Sequence, residues 1–147
     1  MNNNSIMIRK IWQDEIEDLF TIQMVACSNV IWAQASSYSQ NIMIDELLSK
    51  LEGFINGKVD EVLWENGKKG GVANFWSSYL SLKFFHKNKL GHVRAEVYME
   101  LDDGGEFSEH NCCFYVETEL GLLEKFYKKL PLLKTPELDI EIVLNES

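Results

Sequence analysis

Residues 79–101 read YLSLKFFHKNKLGHVRAEVYMEL, and they decide the fold. Leu80, Leu82 and Phe84 alternate with Ser81, Lys83 and Phe85. After a short turn, Val93, Ala95, Val97, Met99 and Leu101 alternate with Arg94, Glu96, Tyr98 and Glu100. A period of two is the pattern of a strand with one buried face. Folding the segment about Lys89 and Leu90 sets Leu82 beside Val97 and Lys83 beside Glu96. A slip of one residue would oppose apolar and polar faces, so the pattern itself specifies the register.

Working toward the C-terminus, Asp102-Asp103-Gly104-Gly105 predicts a turn. A third strand follows, with Cys112, Phe114 and Val116 inward and Cys113, Tyr115 and Glu117 outward. Thr118 then suits the N-cap of a helix over 119–130, whose stripe is Leu120, Leu123, Phe126, Tyr127 and Leu130. Lys125, Lys128 and Lys129 favour its C-terminal end, and Pro131 predicts its stop. Leu138, Ile140 and Ile142 suggest a closing strand.

Working toward the N-terminus, 68–78 carries no clear pattern. A strand over 59–64 leads into Asn66-Gly67, which signals a two-residue hairpin turn. Ile44, Leu47, Leu48, Leu51 and Phe54 lie on one face of a helix over 44–56, with Asp45 and Glu46 in its first turn and Gly57 ending it. Before it, Ile6 and Ile8 alternate with Met7 and Arg9, and Phe20, Ile22, Met24 and Ala26 alternate with Thr21, Gln23 and Val25. Ser28-Asn29 is a turn into a further strand over 30–37. Residues 1–5 read as a frayed end. The order is strands–helix–strands–helix–strand, which predicts an α+β fold of antiparallel meanders with two helices packed on them.

The chain has 147 residues, enough for one domain with a core of its own. A hydrophobic content of 46% excludes a disordered chain. The net charge of −9 is unevenly placed. Glu96, Glu100, Asp102, Asp103, Glu106, Glu109, Glu117, Glu119 and Glu124 fall in 96–124 with no Lys or Arg between them, which leaves 14 acids against 14 bases elsewhere. Such asymmetry predicts a surface that meets something basic, or a device for solubility. It disfavours nucleic acid, whose phosphates require Lys and Arg. No apolar run approaches the ~20 residues of a membrane helix, and the N-terminus lacks a basic start and an apolar core of the signal-peptide kind. Three cysteines, two of them adjacent, read as reduced, mostly buried thiols of a cytoplasmic protein.

No motif of catalysis stands out. His86 ends one strand and His92 begins the next, so a metal pair across the hairpin competes with two separately bonded histidines. Asp102, Asp103, Glu106 and Glu109 lack the spacing of a calcium loop. Cys112 and His110 share a strand face, but an apolar strand raises a thiol's pKa. Gly70-Gly71 lacks the Lys-Ser/Thr of a phosphate loop. The expectation is a protein without cofactor that binds another protein through outward aromatics and carboxylates. Its candidate residues are Glu96, Tyr98, Glu100, Asp102, Asp103, Glu106, Glu109, Tyr115 and Glu117. An acidic inhibitor or adaptor of another kind, and a small metal-dependent enzyme using Asp102, Asp103 or His110, are the alternatives.

Leu80-Ser81-Leu82-Lys83-Phe84 with Leu90-Gly91-His92-Val93-Arg94-Ala95-Glu96-Val97 resembles a pattern of WapI-like bacterial immunity proteins. The strand-to-helix passage Phe114-Tyr115-Val116-Glu117-Thr118-Glu119-Leu120, with Leu123, Phe126 and Leu130 beyond it, belongs to the same resemblance, as does the helix near 47–54. The resemblance implies a cytoplasmic antitoxin that binds the C-terminal toxin domain of a contact-dependent or polymorphic toxin system. That toxin is often a basic nuclease, and an acidic partner would exploit its field. The element order also looks like the Whirly-type arrangement, an analogy of fold that carries no function.

Overall fold

The computed structural model describes residues 3–68, 78–101 and 110–146. Its architecture is α+β: two four-stranded antiparallel sheets and two α-helices. The first sheet holds β1 (Ser5–Gln13), β2 (Phe20–Cys27) and β3 (Trp32–Ser39); α1 (Asn41–Ile55) follows. The second holds β4 (Glu61–Asn66), β5 (Tyr79–His86), β6 (His92–Glu100) and β7 (Asn111–Glu119); α2 (Leu120–Lys129) follows. A 3₁₀ helix, Leu130–Lys134, leads to β8 (Ile142–Leu144). The last strand returns to the first sheet, giving the orders β3-β2-β1-β8 and β4-β5-β6-β7.

One buried cluster joins both sheets and both helices. It includes Ile6, Ile8, Phe20, Ile22 and Met24 from the first sheet and Leu80, Leu82, Phe84, Val97, Phe114 and Val116 from the second. Ile44, Leu47, Leu51 and Phe54 enter it from α1, and Leu123 and Phe126 from α2. The helices touch each other; α1 also packs on β4, and α2 on β7 and β8. Each fully buried Leu, Ile or Phe contributes about 1.5–3 kcal/mol, so these stripes dock the helices firmly. The predicted register is present, with Leu82 opposite Val97 and Lys83 opposite Glu96.

Several boundaries differ from the sequence reading. Residue 5 is not frayed: Ser5 is buried and pairs with Cys27, and the Asn4 carboxamide reaches Asn29 at 3.2 Å. Helix α1 starts at Asn41, so Asp45 and Glu46 lie beyond its first turn. Its N-terminus is served from outside, by the Asp18 carboxylate accepting from the Asn41 N–H at 3.0 Å. At the other end, the Lys58 N–H returns to the Gly53 carbonyl and the Gly57 N–H to Phe54. This is a Schellman closure, and it needs the positive φ of Gly57.

Thr118 is not a cap, because β7 stays paired with β6 as far as His92 and Glu119. Its hydroxyl is instead 2.5 Å from the Asn145 carboxamide oxygen, and the first N–H of α2, on Leu120, donates to the Gly91 carbonyl of the β5–β6 turn. The α-helix does end ahead of Pro131, at Lys129 with Leu130 as its C-cap, but the chain goes on as a 3₁₀ helix with Pro131 in its first turn, where no N–H is required. The closing strand lies further on, burying Ile142 and Leu144 and leaving Leu138 exposed.

Asn66-Gly67 is not a two-residue hairpin, since Asn66 pairs with Leu80 across a longer connection. The Asn66 side chain is fully buried between the sheets. Its amide nitrogen donates to the Ser37 hydroxyl (3.0 Å) and the Tyr38 carbonyl (2.9 Å), and its oxygen accepts from the Ser39 hydroxyl (2.7 Å). Gly67 has φ +99°, and a Cβ there would stand 3.1 Å from the Ser78 carbonyl.

Candidate functional site: the outer face of the second sheet

The core side of β4–β7 is closed by the helices and the first sheet, so chemistry directed at a partner lies on the other side. Strand periodicity puts every second residue there, and antiparallel pairing lines them up in rows. One row is Leu63, Lys83, Glu96, Tyr115. The next toward the β5–β6 turn is Glu61, Phe85, Arg94, Glu117, and on the other side lies Glu65, Ser81, Tyr98, Cys113. Tyr79 and Glu100 begin a fourth.

The rows interlock charge with aromatic area. Lys83 Nζ lies 3.2 Å from Glu61, whose hydrogen bond and charge raise the lysine's pKa. Arg94 Nε donates to Glu117 at 2.8 Å, and Lys87 reaches the same carboxylate at 3.6 Å. The Arg94 guanidinium lies 5.4 Å from the centre of the Tyr115 ring, which meets Phe85 in a T-shaped contact at 90° and 6.3 Å. The Cys113 thiol donates to Glu96 at 3.4 Å. Tyr79 and Tyr98 meet edge to face at 5.8 Å. Tyr79 donates to Glu65 at 2.7 Å, and burial, with that hydrogen bond second, pushes its phenol up to about 12. Burial also raises Tyr98, with the Glu100 charge adding to it.

Between β4 and β7 a groove of about 820 Å³ opens on this face, floored by Lys83, Phe85, Glu96 and Tyr115 and walled by Asp60, Glu61 and Lys89. Tyr115 remains 46% exposed, as a ring awaiting contact would be. Tyr79 and Ser81 are buried, so the open portion of the face is the half nearer the β5–β6 turn.

The predicted residues Glu96, Tyr98, Glu100, Tyr115 and Glu117 therefore share one face. Asp102, Asp103, Glu106 and Glu109, with the predicted turn at 102–105, lie outside the described residues, as does Gly70-Gly71. Sequence reasoning missed the contribution of β4, although the alternation of Glu61, Leu63 and Glu65 with Val62 and Trp64 carried the signal. Comparison with protein-family models, with curated proteins and with solved structures finds no match to this chain.

The other candidates separate. His86 stacks on Phe54 at 4.6 Å, whereas His92 Nδ1 lies 2.8 Å from the Asn88 amide of its own turn. Burial raises the Cys112 thiol, the reverse of what activates a nucleophile, and His110 sits exposed before β7. Cys113 is exposed, in keeping with its outward position on the strand, whereas Cys27 is buried and Cys112 partly so. No helix among the described residues is long and apolar enough to cross a membrane.

Proposed function

We propose that this chain is an immunity protein, which binds a basic toxin domain through the outer face of its second sheet and neutralises it without catalysis. The observation that carries the reading is the set of interlocked rows. Glu61, Glu65, Glu96, Glu100 and Glu117 outnumber Lys83 and Arg94 across the rows, with Phe85 and Tyr115 flooring an open groove between them. Rings in a desolvated centre supply binding area, and surrounding carboxylates steer a cationic partner and reject an anionic one. A basic nuclease fits that chemistry, because its own substrate is a polyanion. The resemblance of 80–97 to immunity proteins points the same way.

The test is co-expression with the toxin domain encoded immediately upstream. A stable complex and restored growth are expected. Glu96→Lys should slow association at least about tenfold at low salt, with the difference shrinking as salt rises. Absence of both complex and rescue would sink the proposal.

A further inference from the structure

Two neighbouring residue pairs on β6 and β7 differ in a way that points to a ligand. Glu117 turns both backbone groups outward: its N–H donates to the Asn4 carboxamide oxygen at 3.5 Å, and its carbonyl accepts from the Asn145 amide at 2.7 Å. By the two-residue period Tyr115 also turns its backbone away from β6. Arg94 with Glu117 and Glu96 with Tyr115 are therefore both non-hydrogen-bonded pairs, the kind whose side chains stand closest. In the first pair the cation is internal. Arg94 Nε donates to Glu117 at 2.8 Å while its guanidinium lies 5.4 Å from the centre of the Tyr115 ring, so carboxylate and ring hold one guanidinium between them. The second pair repeats the carboxylate and the ring without the cation. Glu96 accepts from the Cys113 thiol at 3.4 Å and belongs to no ion pair among the described residues. Lys83 stands opposite it, but the lysine Nζ goes to Glu61 at 3.2 Å.

We infer that the groove on this face takes an arginine side chain of a basic protein partner, its guanidinium on Glu96 and against the exposed part of the Tyr115 ring. A carboxylate offers about four lone-pair sites, so the one bond from the Cys113 thiol leaves Glu96 able to accept a two-pronged N–H fork. Asp60, in the groove wall, also belongs to no ion pair among the described residues and adds negative charge. Of the two lysines lining the groove, Lys83 is committed to Glu61 and Lys89 lies at the rim, in the β5–β6 turn. Phe85 and Tyr115 supply aromatic floor, which a planar, weakly hydrated guanidinium covers better than a strongly hydrated ammonium does. A metal ion does not fit the same carboxylates. Asp60 adjoins β4 and Glu96 lies on β6, two strand spacings or roughly 10 Å apart, too far to meet at one ion.

The inference rests on reading this face as the one that meets a basic toxin, and it names the group recognised there. The two can still fail apart. Arginine capture is measurable without any toxin, so a toxin that does not bind would leave it standing as a property of the groove. Conversely, a groove silent to arginine would leave a toxin complex to be held by other contacts.

NMR titration of the full chain at low salt tests it with three end-capped tripeptides, Gly-Arg-Gly, Gly-Lys-Gly and Gly-citrulline-Gly, the last an uncharged isostere of the first. The arginine peptide should shift the resonances of Glu96, Tyr115 and Phe85 and bind at least about fivefold more tightly than the lysine peptide. The citrulline peptide should leave those resonances in place. Glu96→Gln should weaken the arginine peptide at least about tenfold with an unchanged melting transition. Tyr115→Leu keeps apolar area but removes the ring, and should bring the arginine and lysine peptides close to equality. Glu124→Gln, on α2 outside the groove, should alter neither. Shifts that miss the groove or spread evenly over the acidic surface overturn the proposal. So does equal binding of the arginine and lysine peptides to the wild type, or arginine binding that survives Glu96→Gln.

Discussion

Replacing Asn66 with alanine tests how the two sheets are joined. The native carboxamide is fully buried and makes three hydrogen bonds, to Ser37, Tyr38 and Ser39, all in the neighbouring sheet. Ser37 retains its 2.6 Å donation to the Ser78 carbonyl, but all three bonds of the carboxamide are lost. At about 1 kcal/mol net per bond, Asn66→Ala should cost about 3 kcal/mol. For a domain of this size that is a large share of a total stability of about 5–15 kcal/mol. With a urea m-value of about 2 kcal/mol/M, the unfolding midpoint should fall by about 1.5 M at unchanged slope.

Asn66→Asp separates hydrogen bonding from packing. The volume is kept, but a donor aimed at the Tyr38 carbonyl becomes an acceptor carrying charge in a dry junction. Its cost at neutral pH should exceed that of alanine. Burial raises the folded-state pKa of the new carboxyl, so the folded chain holds a proton that the unfolded chain releases above about 3.9. The contribution of the protonated form is thus present at low pH and lost as pH rises through the folded pKa. The assay is urea unfolding at neutral and mildly acidic pH. A cost below about 1 kcal/mol for alanine, or an aspartate no worse than alanine, would refute the reasoning and leave the sheets joined by apolar packing alone.

Other predictions concern single groups. Because Tyr79 is raised to about 12, the folded protein keeps a phenol proton that the unfolded chain loses above about 10. The associated stability is full below pH 10 and disappears by pH 12, at most about 2.7 kcal/mol, and Tyr79→Phe should lack that alkaline slope in unfolding experiments. Cys113 is exposed while Cys27 is buried and Cys112 half-buried with a raised pKa. A thiol reagent should therefore modify one cysteine rapidly in the native state; mass mapping to either other cysteine would contradict the assignment. In the proposed complex, Tyr115→Ala should act on dissociation, weakening binding by about 1–2 kcal/mol with association nearly unchanged.

Where one periodic pattern met one environment, the fold was legible in the chain. The alternation of 80–84 and 93–101 specified β5 and β6 to the register, because a slip would have buried Lys83 or Glu96. The failures share a different cause. Asn66-Gly67 carries a strong turn signal, yet Asn66 is held by three residues lying 27–29 positions away, and no local rule sees them. Thr118 looks like a cap, but ladder pairing with β6 outcompetes helix initiation there. Asp18, which serves the start of α1 from another loop, is equally invisible to local reasoning. For the site, parity of the strands sufficed to collect Glu96, Tyr98, Glu100, Tyr115 and Glu117. It could not reveal that β4 completes the face, because which strand neighbours β5 is a long-range fact.

The acidic stretch acquires internal structure from this arrangement. Glu117 is engaged by both Arg94 and Lys87, and Glu124 by Lys128 one helical turn on. These carboxylates are largely neutralised within the chain, and exposed pairs of this kind add only about 0–1 kcal/mol to stability. Glu96 differs, since it accepts from the Cys113 thiol and lies in the groove beside Tyr115. The net charge of the chain thus overstates what the face offers a cationic partner, since Glu61 too is paired with Lys83; of the groove's carboxylates, Glu96 and Asp60 belong to no ion pair among the described residues. Changing Glu117 would also release two cations onto the face, so its effect on binding would mix lost attraction with new repulsion. Glu96 is the cleaner probe of steering, because it belongs to no ion pair among the described residues and the Lys83 charge opposite it keeps Glu61 when Glu96 is changed.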